Sequence, residues 1–278
     1  MVCISILIFL FSGHCLAEDK GLLWKIVSPN GNISYLLGTI HSDDTSVTDF
    51  SELLQKDFAE CQVFMLEALP PKDPSIFMNM NNPISEKLTE KEFDKVRELA
   101  DFHSMHIEAA MHMKPWLLAI IFDLPKPATM YSMDELLFGK AIEQGKRIDG
   151  LEKTEDHYAV LDSFSVDEQM TMLKAVLNHS QEDKQRDLEI LLNTYKTGDL
   201  VKIAELDDKF TGSMLPKPLW QKMRVKLIDE RNEEMTEGFA NAARENSVFA
   251  AVGATHLSGE RGMLSLLRAK GFHADAIE

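Results

Sequence analysis

The same pattern occurs near both ends of the chain: Ile33-Ser34-Tyr35-Leu36-Leu37-Gly38-Thr39-Ile40-His41 and Val248-Phe249-Ala250-Ala251-Val252-Gly253-Ala254-Thr255-His256. In each, an apolar run of strand length meets a glycine, and a histidine follows three residues later. Short apolar runs bounded by glycine read as buried strands. A glycine at the carboxyl end of such a strand lets the backbone turn sharply, and the side chain three residues on is presented at the sheet's carboxyl edge, where open α/β sheets place their ligands. If the two strands are neighbours, His41 and His256 share one pocket.

Working outward, Leu23–Val27 and Ile33–Leu37 flank Asn30-Gly31, which reads as a β-hairpin. A helix is expected over Val47–Ala59, with Leu53, Leu54 and Phe58 as its apolar stripe. A buried strand, Gln62–Leu66, then ends at Glu67 and is expected to lie beside the first histidine-bearing strand. Strand, histidine loop, helix and strand with glutamate make a βαβ rhythm. Pro70-Pro71 breaks it, an irregular stretch runs to Pro83, and helical periodicity dominates Ser85–Leu227. The expected helices there cover Thr89–Asp101, His106–Met111, Trp116–Phe122, Met133–Gln144, Val166–Asn178, Gln181–Thr197, Asp199–Lys209 and Pro218–Gly238. One short strand, Lys146–Glu152, interrupts them after Gly145, a helix C-cap. After the second motif come a helix over Met263–Lys270, Gly271 as its stop, and a final short strand. The expected fold is α/β (α+β): a central mixed β-sheet in a single domain, residues 18–278, with a large helical insertion at about 70–238.

Of the 278 residues, 45% are hydrophobic and 27% charged, within the ordinary globular range. A chain this long buries roughly 75% of its unfolded surface, so a metal is not needed merely to hold a core together. Met1–Ala17 carries no Lys, Arg, Asp or Glu and has an apolar run, Ile4–Phe11, interrupted only by Ser5. The run is shorter than the ~20 apolar residues of a membrane span. Small residues ahead of Glu18-Asp19 read as a signal peptide cleaved near Ala17, hence export to a periplasmic or secreted location with no stable span in the mature chain. Its n-region lacks the usual positive charge. Cleavage removes Cys3 and Cys15, and Cys61, beside the apolar Val63–Leu66, reads as a buried structural thiol. A net charge of −16 repels phosphate backbones and excludes nucleic acid as partner.

Neutral imidazole is the commonest protein metal ligand, and catalytic zinc sites use three protein ligands with one position left open. His41, His256 and Glu67 make such a His2Glu set for a divalent ion (Zn, Mn or Co). His103 and His106 also share a helical face near His112, but no carboxylate is placed by pattern to complete a set. Met78, Met80, Met105, Met111 and Met113 read as core or lid packing, and Trp116 after Lys114-Pro115 as a core anchor at a helix start.

The strings Leu36–His41, Phe64–Glu67, Lys114-Pro115-Trp116, Met133-Asp134, Gly150-Leu151-Glu152, Arg231-Asn232 and Val252–Leu257 together resemble the TraB/PrgY/GumN family, which includes the Tiki proteins. The resemblance implies a fold similar to erythromycin-esterase and ChaN-like proteins, with both histidines and Glu67 in one site. From the metal-dependent Tiki proteases it implies a hydrolase of peptide or other acyl substrates. Carried onto this chain, His41 and His256 would ligate the metal, with Glu67 as third ligand or as base. Arg231 would stabilise an oxyanion or substrate carboxylate, and Glu152 would orient a ligating histidine by accepting its other N–H. For Arg231 a helix-surface ion pair is the plainer alternative, and for Glu152 a pairing with Lys146 or Lys153. At the level of the whole protein, the alternatives are a non-catalytic binder of metal or a small molecule, and an accessory protein in polysaccharide export or signalling.

Overall fold

The computed structural model describes residues 20–79, 83–125, 129 and 131–277; the leader read over Met1–Ala17 and the residue Met80 lie outside the described residues. The strands are β1 (Leu23–Val27), β2 (Ile33–Thr39), β3 (Val63–Leu66), β4 (Arg147–Gly150), β5 (Val248–Gly253) and β6 (His273–Ala276), in the sheet order β4-β3-β5-β2-β1-β6. The pairs β4–β3, β3–β5 and β5–β2 are parallel, while β2–β1 and β1–β6 are antiparallel. The sheet is therefore mixed, as an α/β fold requires. β2 and β5 are neighbours, with Thr39 opposite Gly253. The β1–β2 hairpin turns at Gly31, whose φ of +90° suits glycine.

One expectation about the sheet is corrected. β3 does not lie beside β2: β5, from the far end of the sequence, is inserted between them. β5 is apolar along its whole length and buried from Val248 to Val252, the pattern of a parallel strand covered on both faces. Such a strand is stabilised most at the sheet's centre.

The helices are α1 (Thr45–Thr48), α2 (Glu52–Glu60), α3 (Glu90–Phe102), α4 (Ile107–Met111), α5 (Pro115–Asp123), α6 (Met133–Glu143), α7 (Thr154–Asp162), α8 (Val166–Asn178), α9 (Gln181–Tyr195), α10 (Leu200–Met214), α11 (Lys217–Arg224), α12 (Glu230–Glu245) and α13 (Met263–Ala269). Three differ from expectation. The helix read over Val47–Ala59 is two, because Ser51 starts a new one by accepting from Leu54 N–H. α7 was not expected. The helix read over Pro218–Gly238 widens into a π-turn at Val225–Asp229 and continues to Glu245. Arg231 Nη1 donates to the Leu227 carbonyl within that turn (3.2 Å).

The buried residues form two apolar clusters. One wraps the sheet, with Phe58, Phe64, Phe239 and Phe249 at its centre. The other lies wholly within the helices between β3 and β5 and holds Val96, Leu118, Phe122 and Leu173. Trp116, at the start of α5, is buried and donates Nε1–H to Asp162 (2.9 Å), and Lys114 donates to the other oxygen of that carboxylate (2.6 Å). Cys61 is buried and its thiol is pushed up to about 12 by that burial, which fits a structural role.

α12 approaches the sheet closely at Gly238, where a Cβ would stand 2.0 Å from the Leu151 carbonyl oxygen. Gly238→Ala therefore requires a shift of α12 or the β4 end, and a loss of about 1–3 kcal/mol is expected in urea unfolding. The control is Gly139→Ala in α6, where nothing lies within 4 Å of the added carbon. It is expected to stabilise by roughly 0.5–1 kcal/mol, the ordinary helical preference for alanine. A neutral Gly238→Ala would contradict the close approach.

Candidate functional site

Four parallel strands end on the same side of the sheet, and each delivers one polar side chain just beyond its last residue: His41 after β2, His256 after β5, Glu67 after β3 and Glu152 after β4. The glycines of the two motifs act otherwise than as turn formers. Neither Gly38 nor Gly253 has a positive φ. At Gly38 a Cβ would meet Leu257 Cδ1 at 2.8 Å and Ala254 at 3.2 Å, so glycine there lets the two histidine loops pack against each other. Tyr195, from α9, fixes the first loop by donating its hydroxyl to the Gly38 carbonyl (2.7 Å).

His256 is buried, and its Nδ1 lies 2.6 Å from Asn232 Oδ1 on α12. Asn232 is itself oriented, because its amide nitrogen donates to the Arg261 carbonyl (2.9 Å). An amide oxygen only accepts, so the proton sits on Nδ1 and the Nε2 lone pair is free. Burial lowers this imidazole to about 4, so it is neutral at physiological pH. Nε2 faces Glu67 Oε1 at 3.6 Å.

Glu67 accepts the Gly253 amide on Oε1 (2.8 Å) and Arg231 Nη2 on Oε2 (2.6 Å). Burial opposes its ionisation, but His256, Arg231 and the Gly253 amide outweigh that and hold the carboxyl well below the usual range. Arg231 also gives Nε–H and Nη2–H to Glu152 Oε1 (2.8 and 2.6 Å). That oxygen lies 2.8 Å from His157 Nδ1 on α7, while Glu152 Oε2 is buried without a partner. Arg231 is thus not on the helix surface, and four of its five N–H donors go to two strand-end carboxylates and a carbonyl. Among the described residues, the Glu152 carboxylate pairs with Arg231 and His157 and not with His41, His256 or a lysine.

His41 presents its side chain to a cleft, 70% exposed, with Nδ1 3.1 Å from Asp134 Oδ2 at the start of α6. The other oxygen of Asp134 accepts from Thr39 (2.8 Å). Pairing with Asp134 raises the His41 imidazole to about 9. Both motif histidines therefore have Nδ1 tied to a side chain carried by a helix, with Nε2 left over.

Glu67, Glu152 and His157 offer ligand atoms within 4.8 Å of one another. A cation already sits among them, however, because Arg231 Nη2 is 2.6 Å from both carboxylates. Glu67 Oε1 and His256 Nε2 suit an added ion better. They are two acceptors facing each other, and two ligand atoms each ~2.0–2.2 Å from a tetrahedral ion stand roughly 3.3–3.6 Å apart. Sequence reasoning left His157 out of the site. The Thr154-Glu155-Asp156 start of α7 signals a helix, which carries the histidine towards Glu152. Asn232 and Asp134 carry no chemistry of their own in the sequence, and only their contacts show what they do.

The model of the TraB/PrgY/gumN family matches residues 22–276. No curated protein and no solved structure matches the chain.

Replacing Arg231 with methionine leaves two buried carboxylates facing each other. A loss of about 3–5 kcal/mol in denaturant unfolding is expected, and a loss below about 1 would show that the pairing is dispensable. The pH dependence follows from the two imidazoles. His256, depressed from about 6.5 to about 4, contributes stability that is full above pH ~6.5 and lost as pH falls towards ~4. His41, raised to about 9, contributes stability that is full below pH ~6.5 and lost as pH rises through ~9, discounted for its exposure. Unfolding midpoints of chelator-treated protein should peak near neutral pH, and His256→Gln should flatten the acid limb.

Proposed function

The chain belongs to the TraB/PrgY/gumN family, and from the geometry of its sheet edge we propose that it is a metal-dependent hydrolase of peptide or other acyl substrates. One observation carries the reading: the unprotonated Nε2 of His256 faces an ionised Glu67 oxygen at 3.6 Å, with both side chains held in place by other groups. Two lone pairs so directed repel unless a proton or a metal ion lies between them, and burial keeps the proton off His256.

His256 and Glu67 would hold a divalent ion, Zn, Mn or Co, and His41 would complete the set through Nε2 after giving up the proton that Asp134 favours and turning in from the cleft. Such an ion supplies Lewis-acid polarisation of a carbonyl and activation of water. The remaining roles fall to the chain itself. Glu67 is held too acidic to take up a proton near neutral pH, which favours a ligand over a general base. Arg231 and Glu152 act through Glu67: Arg231 holds the carboxylate ionised and oriented, and Glu152 holds Arg231. Asn232 and Asp134 fix the two imidazole rings. We further propose that residues 18–278 act as one exported domain, in which the helices between β3 and β5 form the wall of the substrate cleft. Among the described residues no helix is long and apolar enough to cross a membrane.

The 2.6 Å Arg231–Glu67 contact favours a second reading, since it already neutralises the carboxylate: a binder of the same fold without turnover. Metal analysis of protein purified without chelator decides first. Near-stoichiometric Zn, Mn or Co is expected in the wild type and none in His41→Ala or His256→Ala. Asn232→Leu should weaken metal affinity by about 10–100-fold. Protein that holds no metal and is indifferent to chelator would overturn the proposal, and metal without cleavage of blocked-peptide or ester libraries would leave the binder.

A further inference from the structure

Beside the sheet edge lies a cavity of about 270 Å³. His41 and the loop Gly253–Thr255 form one wall; the ends and faces of α5, α9 and α10, with the turn between α8 and α9, form the other. Of the site's side chains, His41 lines this cavity. Its size falls just below the ~300–1,000 Å³ of drug-sized pockets, which suits one long side chain better than a folded partner.

Two features of the lining differ in character. Part of the lining is apolar: Ile40, Leu188, Leu191, Ile203, Phe210 and Met214. Interspersed with them are three carboxylates, Asp123, Asp187 and Asp207, against one ammonium, Lys184. Lys184 is buried and donates to the Phe122 carbonyl (2.8 Å). His179 sits between two of the acids, with Nε2 3.4 Å from Asp187 and Nδ1 4.0 Å from Asp123, and the exposed Arg186 reaches Asp187 Oδ1 at 3.4 Å, leaving Asp187 partly and weakly paired. Asp207 receives only the Thr211 hydroxyl (3.3 Å) among the described hydrogen bonds. Burial raises the carboxyls of Asp123 and Asp207 even though Lys184 acts on the first and Arg224 on the second, so neither is fully compensated. The charge of His41 is balanced by Asp134 and offers these acids little.

A cavity that sets incompletely compensated carboxylates among apolar walls complements an aliphatic stem ending in a cation. We propose that this cavity is a specificity subsite for a lysine or arginine side chain of an extended peptide substrate. The stem would lie along the apolar wall, and the ammonium or guanidinium would meet Asp187 and Asp207, with Asp123 adding to the field. The backbone next to that residue then passes the carboxyl ends of β2 and β5. The inference rests on the reading of that edge as the place of reaction, and it supplies what the edge lacks, a means of choosing a substrate.

Binding alone tests it, without turnover. Three blocked heptapeptides, identical except for a central lysine, norleucine or glutamate, are titrated calorimetrically into chelator-treated mature protein. The lysine peptide should bind at least about tenfold more tightly than the norleucine peptide, and the glutamate peptide more weakly than both. Asp187→Asn with Asp207→Asn should reduce the lysine preference to about threefold or less and leave norleucine binding as it was; Asp123→Asn alone should reduce it partly. Because the titration uses metal-free protein, a missing preference counts against the subsite alone, and the metal reading stands or falls on the metal analysis. Equal binding of lysine and norleucine peptides, an unchanged preference in folded Asp variants, or no binding of any peptide would each overturn the proposal.

Discussion

The candidate site depends on one buried guanidinium. Arg231 is the only group among the described contacts that touches both Glu67 and Glu152, which end neighbouring parallel strands and would otherwise repel each other in a nearly dry environment. Removing two carboxylates and a guanidinium from water is costly, and only close hydrogen-bonded geometry offsets it. That geometry needs α12 close to the sheet, and the close approach is made at Gly238, two turns along the helix from Arg231 and against the end of β4. A packing constraint on backbone atoms thus sets the electrostatics of the site.

The same helix serves the other half of the site. Asn232 follows Arg231 directly and ties His256 Nδ1, while Arg231 ties Glu67. Two consecutive residues therefore control both partners of the 3.6 Å pair. The π-turn before α12 belongs to this arrangement, because its Leu227 carbonyl takes the remaining end of the guanidinium. On the other side, Asp134 holds Thr39 and His41 together at the end of β2. Each histidine is thus backed by a different helix, α6 for one and α12 for the other. The distinction in their charge follows from the partner: a carboxylate beside an open imidazole keeps the proton, and a neutral amide beside a buried one does not.

The fold class, both histidine loops, the hairpin and most of the helices could be read from the sequence, because each is marked locally. Apolar runs of strand length, glycine punctuation and capping residues act within a few positions of the chain, and so does the pairing of Pro115 with the start of α5. Even the packing of the two histidine loops side by side follows once two similar strands are assumed to be neighbours. The place of β3 could not be read that way. Sequence adjacency put it next to β2, but the entirely apolar β5 gains more from the central position, and that preference appears only when all the strands compete for one sheet.

What the sequence alone determined, then, is the inventory: a mixed α/β sheet, two glycine-histidine loops and acidic residues at strand ends, each fixed by short-range pattern. Only the tertiary structure decided the partners. Arg231 had several acids within reach of a helix surface, and His157 none by pattern; Glu67 had two possible neighbours. Which of these contacts formed was settled by helix-to-sheet packing at Gly238 and loop-to-loop packing at Gly38, where the absence of a single Cβ lets distant segments touch. Such contacts join residues far apart in the chain, so no local pattern encodes them.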